Sequence, residues 1–424
     1  MIENHQNELV PIPKPLRQYS TKEKLLLPIS LLIAILFDRL MVARLYTASS
    51  PWSFFGVFWL CCIVIFYAFY WDKLKKDKVA WFVAICTAAL SIWFFTSPGR
   101  QNWQYSLITF FVIPNVLMAH TQWVAGSYTL KNSDGMAAAW FMGWFVKPFS
   151  ALFALLGVIG SLLSAGNKST AKRVLAGVGI ASLLLLIVVP LLMGADQVFS
   201  YYLRQIFSFG NPVLTFFHII VVITAFGLIY SFLWNVGFGK VEQYSIKSTK
   251  TIDDIISTIV LSSVILVYAL FCIIQFTYLF AGVGLPAGMT YSEYAREGFA
   301  QTVVVCTINL LIFGVFLRFG KHHKLSLTML CGLLATTGVM LFSGAVRLSL
   351  YIGAYGMTWL RLLSAWFIIY LAVVIALCII RLLFKRQLPI IALSALFLLA
   401  WYVALGYLNP DGFIDWYNYD FFVR

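Results

Sequence analysis

Residues 271–299 read FCIIQFTYLFAGVGLPAGMTYSEYAREGF. An apolar run with one uncharged polar residue, Gln275, ends in Tyr278-Leu279-Phe280. Gly282, Gly284, Pro286 and Gly288 then make a turn. A helix start follows that carries Glu293, Arg296 and Glu297, too charged to lie in hydrocarbon. Gly298 and Phe299 open another apolar run. The pattern predicts two membrane-spanning helices joined by a structured hairpin at the membrane surface.

Apolar runs of about 20 residues, the length that crosses a bilayer, recur on both sides of this hairpin. Of 424 residues, 61% are hydrophobic and 11% charged, with a mean hydropathy of +0.88. A soluble domain has no use for so much apolar surface. The expected fold is all-α, a polytopic transmembrane bundle of about eleven spans. They lie near 26–46, 52–71, 79–97, 103–125, 174–193, 212–234, 255–280, 298–317, 326–346, 359–380 and 388–407. Residues 136–165 are also apolar, but Lys147-Pro148 interrupts them. With Trp140, Trp144 and Phe145 they read as an interfacial or re-entrant helix. If they crossed, a twelfth span would invert everything after it. The expected organisation is a disordered cytoplasmic tail at 1–24, a transmembrane domain at 25–408 and a short extracytoplasmic tail at 409–424. No apolar stretch with a cleavage site precedes the first span, so no removable signal peptide is expected.

Lysine fixes the expected orientation. With eleven spans, the segments on the starting side are the N-terminal tail, 72–78, 126–173, 235–254, 318–325 and 381–387. They hold every lysine, 17 in all. The other side carries only the arginines Arg100, Arg204, Arg296, Arg347, Arg361 and Arg424. Short cytoplasmic loops keep their basic residues, so the N-terminus is expected in the cytoplasm and the C-terminus outside. The net charge of +14 then reflects this bias and attraction to anionic headgroups, and nucleic-acid binding is not expected. Local signals agree. Thr251-x-x-Asp254 and Thr290-x-x-Glu293 resemble capping pairs. Trp52, Trp71, Trp81, Trp103, Trp234, Trp359 and Trp401 sit near span ends. No internal repeat is evident, which weakens a standard secondary-transporter fold.

Polar residues within spans are few. Asp38 and Arg39 lie late in the first span with Arg44 beyond, and read as residues at a helix end, with Arg44 or a group across the bundle as partner for Asp38. Asn115 follows Pro114 in the fourth span and is expected to face the bundle and satisfy a freed carbonyl. His120, His218, Gln275, Asn309, Thr336 and Thr337 read as interhelical hydrogen-bonding groups. No hydrolase, kinase or nucleotide motif is present. No cofactor or metal is expected. Cys61, Cys62, Cys86, Cys272, Cys306, Cys331 and Cys378 all lie in apolar runs without metal-type spacing, and His322-His323 stands among Arg318, Lys321 and Lys324. The extracytoplasmic side gathers more chemistry: Asp196; Glu293, Arg296 and Glu297; Arg347, Tyr351 and Tyr355; Arg361; and Asn409-Pro410-Asp411 with Asn418. These are expected at one membrane depth, as an ion-paired cap or a polar pocket. At least one of Glu293 or Glu297 should lie within salt-bridge distance of Arg347, Arg361 or Arg296.

At these residues the chain resembles a family of multi-pass bacterial membrane proteins classed as a domain of unknown function. The resemblance rests on Gly194-Ala195-Asp196-x-Val198-Phe199, Phe271-x-x-x-Gln275-x-x-Tyr278-Leu279-Phe280 and Tyr291-x-Glu293-Tyr294-Ala295-Arg296-x-Gly298-Phe299. It continues in Arg347-Leu348-x-Leu350-Tyr351-x-x-x-Tyr355-Gly356-x-Thr358-x-x-Arg361 and Asn409-Pro410-Asp411-x-x-Ile414-x-x-x-Asn418, so it covers about 190–418. It implies a bacterial inner-membrane location and no known activity. Similar proteins often continue into a soluble tail, whose function is expected to be absent here. Two functions stay open. One is a non-enzymatic protein that binds or moves a lipid-linked or small solute, or serves as a subunit or sensor of an envelope complex, with membrane lipids and other envelope membrane proteins as partners. The other is an intramembrane transferase acting on a lipid carrier, with Glu293 or Asp196 as acid or base.

Overall fold

The computed structural model describes residues 18–47, 52–74, 76–96, 103–163, 191–206, 212–239, 251–275, 291–320, 324–384 and 388–423, with positions 177, 180, 184–185 and 187–189. Side chains at 46–47, 163, 202–206, 212–213, 275, 291–300 and 422–423 lie outside the described set. The described residues form helices and no strand. Among the described residues, ten helices are long and apolar enough to cross a membrane, or eleven if one bent pair counts as a span. All ten coincide with expected spans. The remaining expected span, 174–193, lies largely outside the described residues, as do His322-His323 and the turn at 276–290.

The chain divides into two compact units. The first comprises 1–51, 64–73 and 141–241, and the second 52–63, 74–140 and 242–424. In the first, helix α1 (Thr21–Phe37) begins earlier than the expected tail boundary. The signal was Ser20-x-x-Glu23: Ser20 Oγ accepts from the Glu23 N–H and the Glu23 carboxylate accepts from the Ser20 N–H. The helix passes through a π-turn at Asp38–Val42 and continues to Thr47. Helix α2 (Trp52–Tyr70) gives its last turns to this unit. Helix α9 (Pro212–Phe238) packs along α1. Trp234 Nε1 donates to Glu23 Oε1 at 3.1 Å, Tyr70 donates to the Leu233 carbonyl at 2.7 Å, and Lys73 donates to the Gly237 carbonyl at 2.8 Å. Three helix ends are thereby tied together where lysines cluster.

The interrupted segment 136–163 is bent. Helix α5 (Met136–Phe145) meets α6 (Lys147–Ser150) and α7 (Leu152–Leu163) at 48°. Pro148 removes an N–H and its ring blocks continuation of α5. The backbone groups released there need other partners. Two side chains on α9 serve them. Ser231 Oγ donates to the Lys147 carbonyl at 3.0 Å and accepts from the Ala151 N–H at 2.9 Å. Asn235 Nδ2 donates to the Lys147 carbonyl at 2.8 Å and to Ser150 Oγ at 2.9 Å.

In the second unit, α3 (Lys78–Thr96) and α4 (Trp103–Ala125) pair, and α14 (Ile390–Tyr407) packs on α3. Their close approach needs a glycine: a Cβ at Gly406 would lie 2.3 Å from the Tyr105 hydroxyl, and the Gly406 carbonyl accepts from Trp93 Nε1 at 2.9 Å. The central element is α12 (Lys324–Tyr355), packed against α10 (Asp254–Gln275), α11 (Tyr291–Phe319) and α13 (Trp359–Leu383). Leu333, Leu334, Thr337, Met340, Leu341 and Leu348 are its buried face. The cap of α10 is Asp253, which accepts from the Ile255 N–H at 2.8 Å, and not the expected Thr251 pair. Trp401 is not an interfacial anchor. It stacks on Trp366 at 4.0 Å, and each indole donates to the other residue's carbonyl.

Two measurements follow. Asn235→Leu removes one of the two donors to the Lys147 carbonyl and the donor to Ser150 Oγ and should cost about 0.5–1.5 kcal/mol, read as a lower melting temperature in detergent; an unchanged melt removes the account of the bend. In a cysteine-free background, single cysteines at 76 and 289 should label from opposite sides of intact cells, and those at 168 and 324 from the same side as 76. Labelling of 76 and 289 from one side would mean that 136–163 crosses as a twelfth span.

Candidate functional site

The chain around Tyr351–Arg361 joins α12 to α13 through only three residues. Gly356 takes φ 76°, the left-handed region open to glycine. Its N–H donates to the Ile352 carbonyl at 2.8 Å, a left-handed helix stop. Thr358 is extended and its carbonyl accepts from the Leu362 N–H at 2.9 Å, starting α13. Arg361 therefore sits in the first turn of α13, where the helix dipole disfavours a cation. Its side chain turns back to the opposite pole. Nη1 donates to the Tyr355 carbonyl at 2.8 Å and to the Gly356 carbonyl, at the negative end of α12. The guanidinium carbon lies 4.1 Å from the Tyr351 ring centroid and 5.8 Å from that of Tyr355. The two rings meet edge to face at 5.2 Å.

Helix α15 (Pro410–Tyr417) covers this turn. Asn409 precedes it with φ 51° and accepts from the Gly412 N–H at 3.4 Å. Asp411 Oδ1 accepts from Trp359 Nε1. Beyond the helix, Asn418 accepts from the Met357 N–H at 2.6 Å and donates to the Met357 carbonyl at 2.9 Å. One amide thus satisfies both backbone groups of a buried linker residue. Phe413, Trp416, Tyr419 and Phe421 remain exposed along the same segment, as aromatics at a membrane interface are.

One part of the expected cap, the place of Arg347, is corrected, and its ion pairs to Glu293 and Glu297 lie outside the described side chains. Arg347 does not lie at the end of its span. Helix α12 runs eight residues further, roughly 12 Å, and Arg347 is buried within it. Arg361 is held by carbonyls and aromatic faces, and among the described residues no carboxylate pairs with it. Glu293, Arg296 and Glu297 lie on the first turns of α11, with side chains outside the described residues. Asp196 belongs to the first unit. It is exposed, and its Oδ1 accepts from the Val198 and Phe199 N–H groups at 2.7 and 3.2 Å, capping α8 (Gln197–Ile206). Its carboxylate is spent on its own helix. Asp411 and Asn418 carry more of the cap than the spacing of the arginines suggested.

The intramembrane polar residues divide. Asn115 is half-buried and bonds the Phe111 carbonyl at 2.8 Å within its own helix, which continues through Pro114. Asn309 is buried and donates to Thr337 Oγ1 at 3.0 Å between α11 and α12, the expected interhelical bond. His120 is buried on α4. The Gln275 side chain lies outside the described residues. Asp38 is not a snorkelling residue: its side chain is 1% exposed, and Oδ1 lies 2.6 Å from Nδ1 of His218 on α9. Sequence spacing had no means of joining positions 38 and 218. The seven cysteines are free thiols, and no metal-ligating cluster occurs among the described residues.

A family model described as a domain of unknown function (DUF4153) matches residues 60–422. The chain belongs to this family. The match takes in the first helices of the second unit as well as the motifs of the C-terminal half, so DUF4153 covers more of the chain than residues 190–418. No curated protein and no solved structure matches.

Asn418→Ala unpairs both backbone groups of Met357 and should destabilise by about 1–3 kcal/mol, whereas Asn418→Asp keeps the acceptor but sets a carboxylate oxygen against the Met357 carbonyl and should cost more at neutral pH. Thermal unfolding in detergent orders the three proteins, and equal costs would remove the two-way amide from the account.

Proposed function

We propose that this integral multi-pass membrane protein is a non-enzymatic component of the bacterial cell membrane, with its N-terminus cytoplasmic and C-terminus extracytoplasmic, which binds the anionic head of a lipid-linked or small solute at Arg361. The observation that supports this is the mounting of that guanidinium. It is half-exposed, set over the Tyr351 ring with Nη1 anchored on two carbonyls, and met by no carboxylate among the described residues. A planar cation fixed in this way keeps donors for a phosphate or carboxylate oxygen without reorganising. The exposed aromatics of 413–421 place lipid-compatible surface on the same segment that covers the turn. Acid–base chemistry gains no support from Asp196, whose carboxylate caps a helix.

The test uses a long-chain prenyl phosphate and the corresponding prenyl alcohol, titrated against purified protein in detergent. The phosphate should bind and the alcohol should not. Arg361→Ala should weaken phosphate binding about tenfold to a hundredfold, the loss of a charge-assisted hydrogen bond. Arg361→Lys keeps the charge without the stack and should fall between. Melting temperatures identify any variant that has lost its fold. Equal affinity of the wild type and a folded Arg361→Ala would sink the proposal.

A further inference from the structure

We infer that Asp38 and His218 form a protonation site inside the membrane-spanning part of the first unit. This stands apart from the Arg361 proposal, which concerns the other unit. Asp38 lies seven residues, about 10 Å, before Leu45, where the first candidate span ends. It begins the π-turn, whose defining bond runs from the Ala43 N–H to the Asp38 carbonyl. The extra residue of a π-turn re-aims the side chains around it and is common at functional positions. Here it leaves Asp38 1% exposed, while the next residue, Arg39, is 71% exposed. A carboxylate in such a place is expensive unless it does something.

The surroundings suit a proton. Oδ1 meets His218 Nδ1 at 2.6 Å, a charge-assisted distance. Oδ2 has no hydrogen-bond partner among the described residues, and the Arg39 Nε stands 3.7 Å from it. The elements packed against the π-turn are α1, its continuation Ala43–Thr47, and α9. Their titratable and charged groups at this end are Asp38, Arg39, Arg44 and His218. The others on α1, Lys22, Glu23 and Lys24, lie in its first turn, and the other titratable residue on α9, Tyr230, lies at that same end, donating to the Glu23 carbonyl. With Nδ1–H donated to Asp38, the imidazole keeps its Nε2 lone pair. One proton taken from solution binds there and gives an imidazolium–carboxylate pair; its release restores the neutral ring. Imidazole is the side chain suited to that exchange near neutral pH.

Proton uptake by the purified protein, stepped from neutral to mildly acid pH with an indicator dye, tests this. The wild type should take up one more proton per chain than Asp38→Asn or His218→Gln, and the double variant should lose no more than either single one. The added proton is held by the pair, ring and carboxylate together, so each substitution should silence the whole site. A purely structural tie predicts otherwise. Asp38→Asn can keep a hydrogen bond to the ring, and uptake would then match that of the wild type, which overturns the proposal. If the variants fail to fold, a chain with His5, His120, His322 and His323 replaced by glutamine leaves His218 as the sole histidine. Its infrared difference spectrum should show an imidazole band that moves with pH and shifts on ring ¹⁵N labelling. A pH-independent band would equally overturn the site.

Discussion

Unpaired backbone groups set the terms for this fold. Wherever a helix stops or bends in an apolar layer, its N–H and C=O groups have no water to receive them. Local caps answer some of these cases, as at Ser20, Asp196 and Asp253, and side chains from other helices answer others. Ser231 and Asn235 serve the bend at Lys147–Ala151, and Asn418 serves both groups of Met357. Trp366 and Trp401 exchange indole donors for carbonyls in the middle of a helix pair. Apolar packing is plentiful here, but it is not selective between helices when lipid is equally apolar. These polar bonds are directional, and they decide which helix lies beside which.

The same constraint explains how charge is used. An arginine in the first turn of a helix is badly placed for its own dipole, yet Arg361 becomes useful because the turn brings the carbonyl end of α12 within reach. Asp411 serves an indole and Asp196 serves its own helix. None of these three needs an opposite charge. Arg318 and Asp134 do form an ion pair, at 2.6 Å, but on partly exposed side chains.

Most of the architecture was legible because span length and hydropathy are local properties. Ten of the expected spans coincide with helices, and Lys147-Pro148 located the bend. Helix limits were less legible, since composition does not say where a helix leaves the hydrocarbon. Arg347 was assigned to a span end for this reason, although α12 continues to Tyr355. The cap was half legible. Tyr351, Tyr355 and Arg361 stand at helical and near-turn spacing, so their meeting is a short-range matter. Asn418 and Asp411 reach the turn from more than fifty residues away, and His218 reaches Asp38 from 180 away. Such pairs depend on helix packing, which one sequence does not encode as a pattern.

The length of α12 has a metric consequence. Its 32 residues measure about 48 Å against a hydrocarbon layer of about 30 Å. Counted along the axis from Lys324, Arg347 falls near 35 Å, and the tyrosines stand about 6 and 12 Å further on. The helix therefore works as a ruler with graduated marks, a lysine at one end and arginine, tyrosine, tyrosine toward the other. A thicker bilayer would draw the upper marks into its oily layer, and a thinner one would lift them clear. Membrane thickness thus becomes a variable to which this protein's polar end is geometrically coupled.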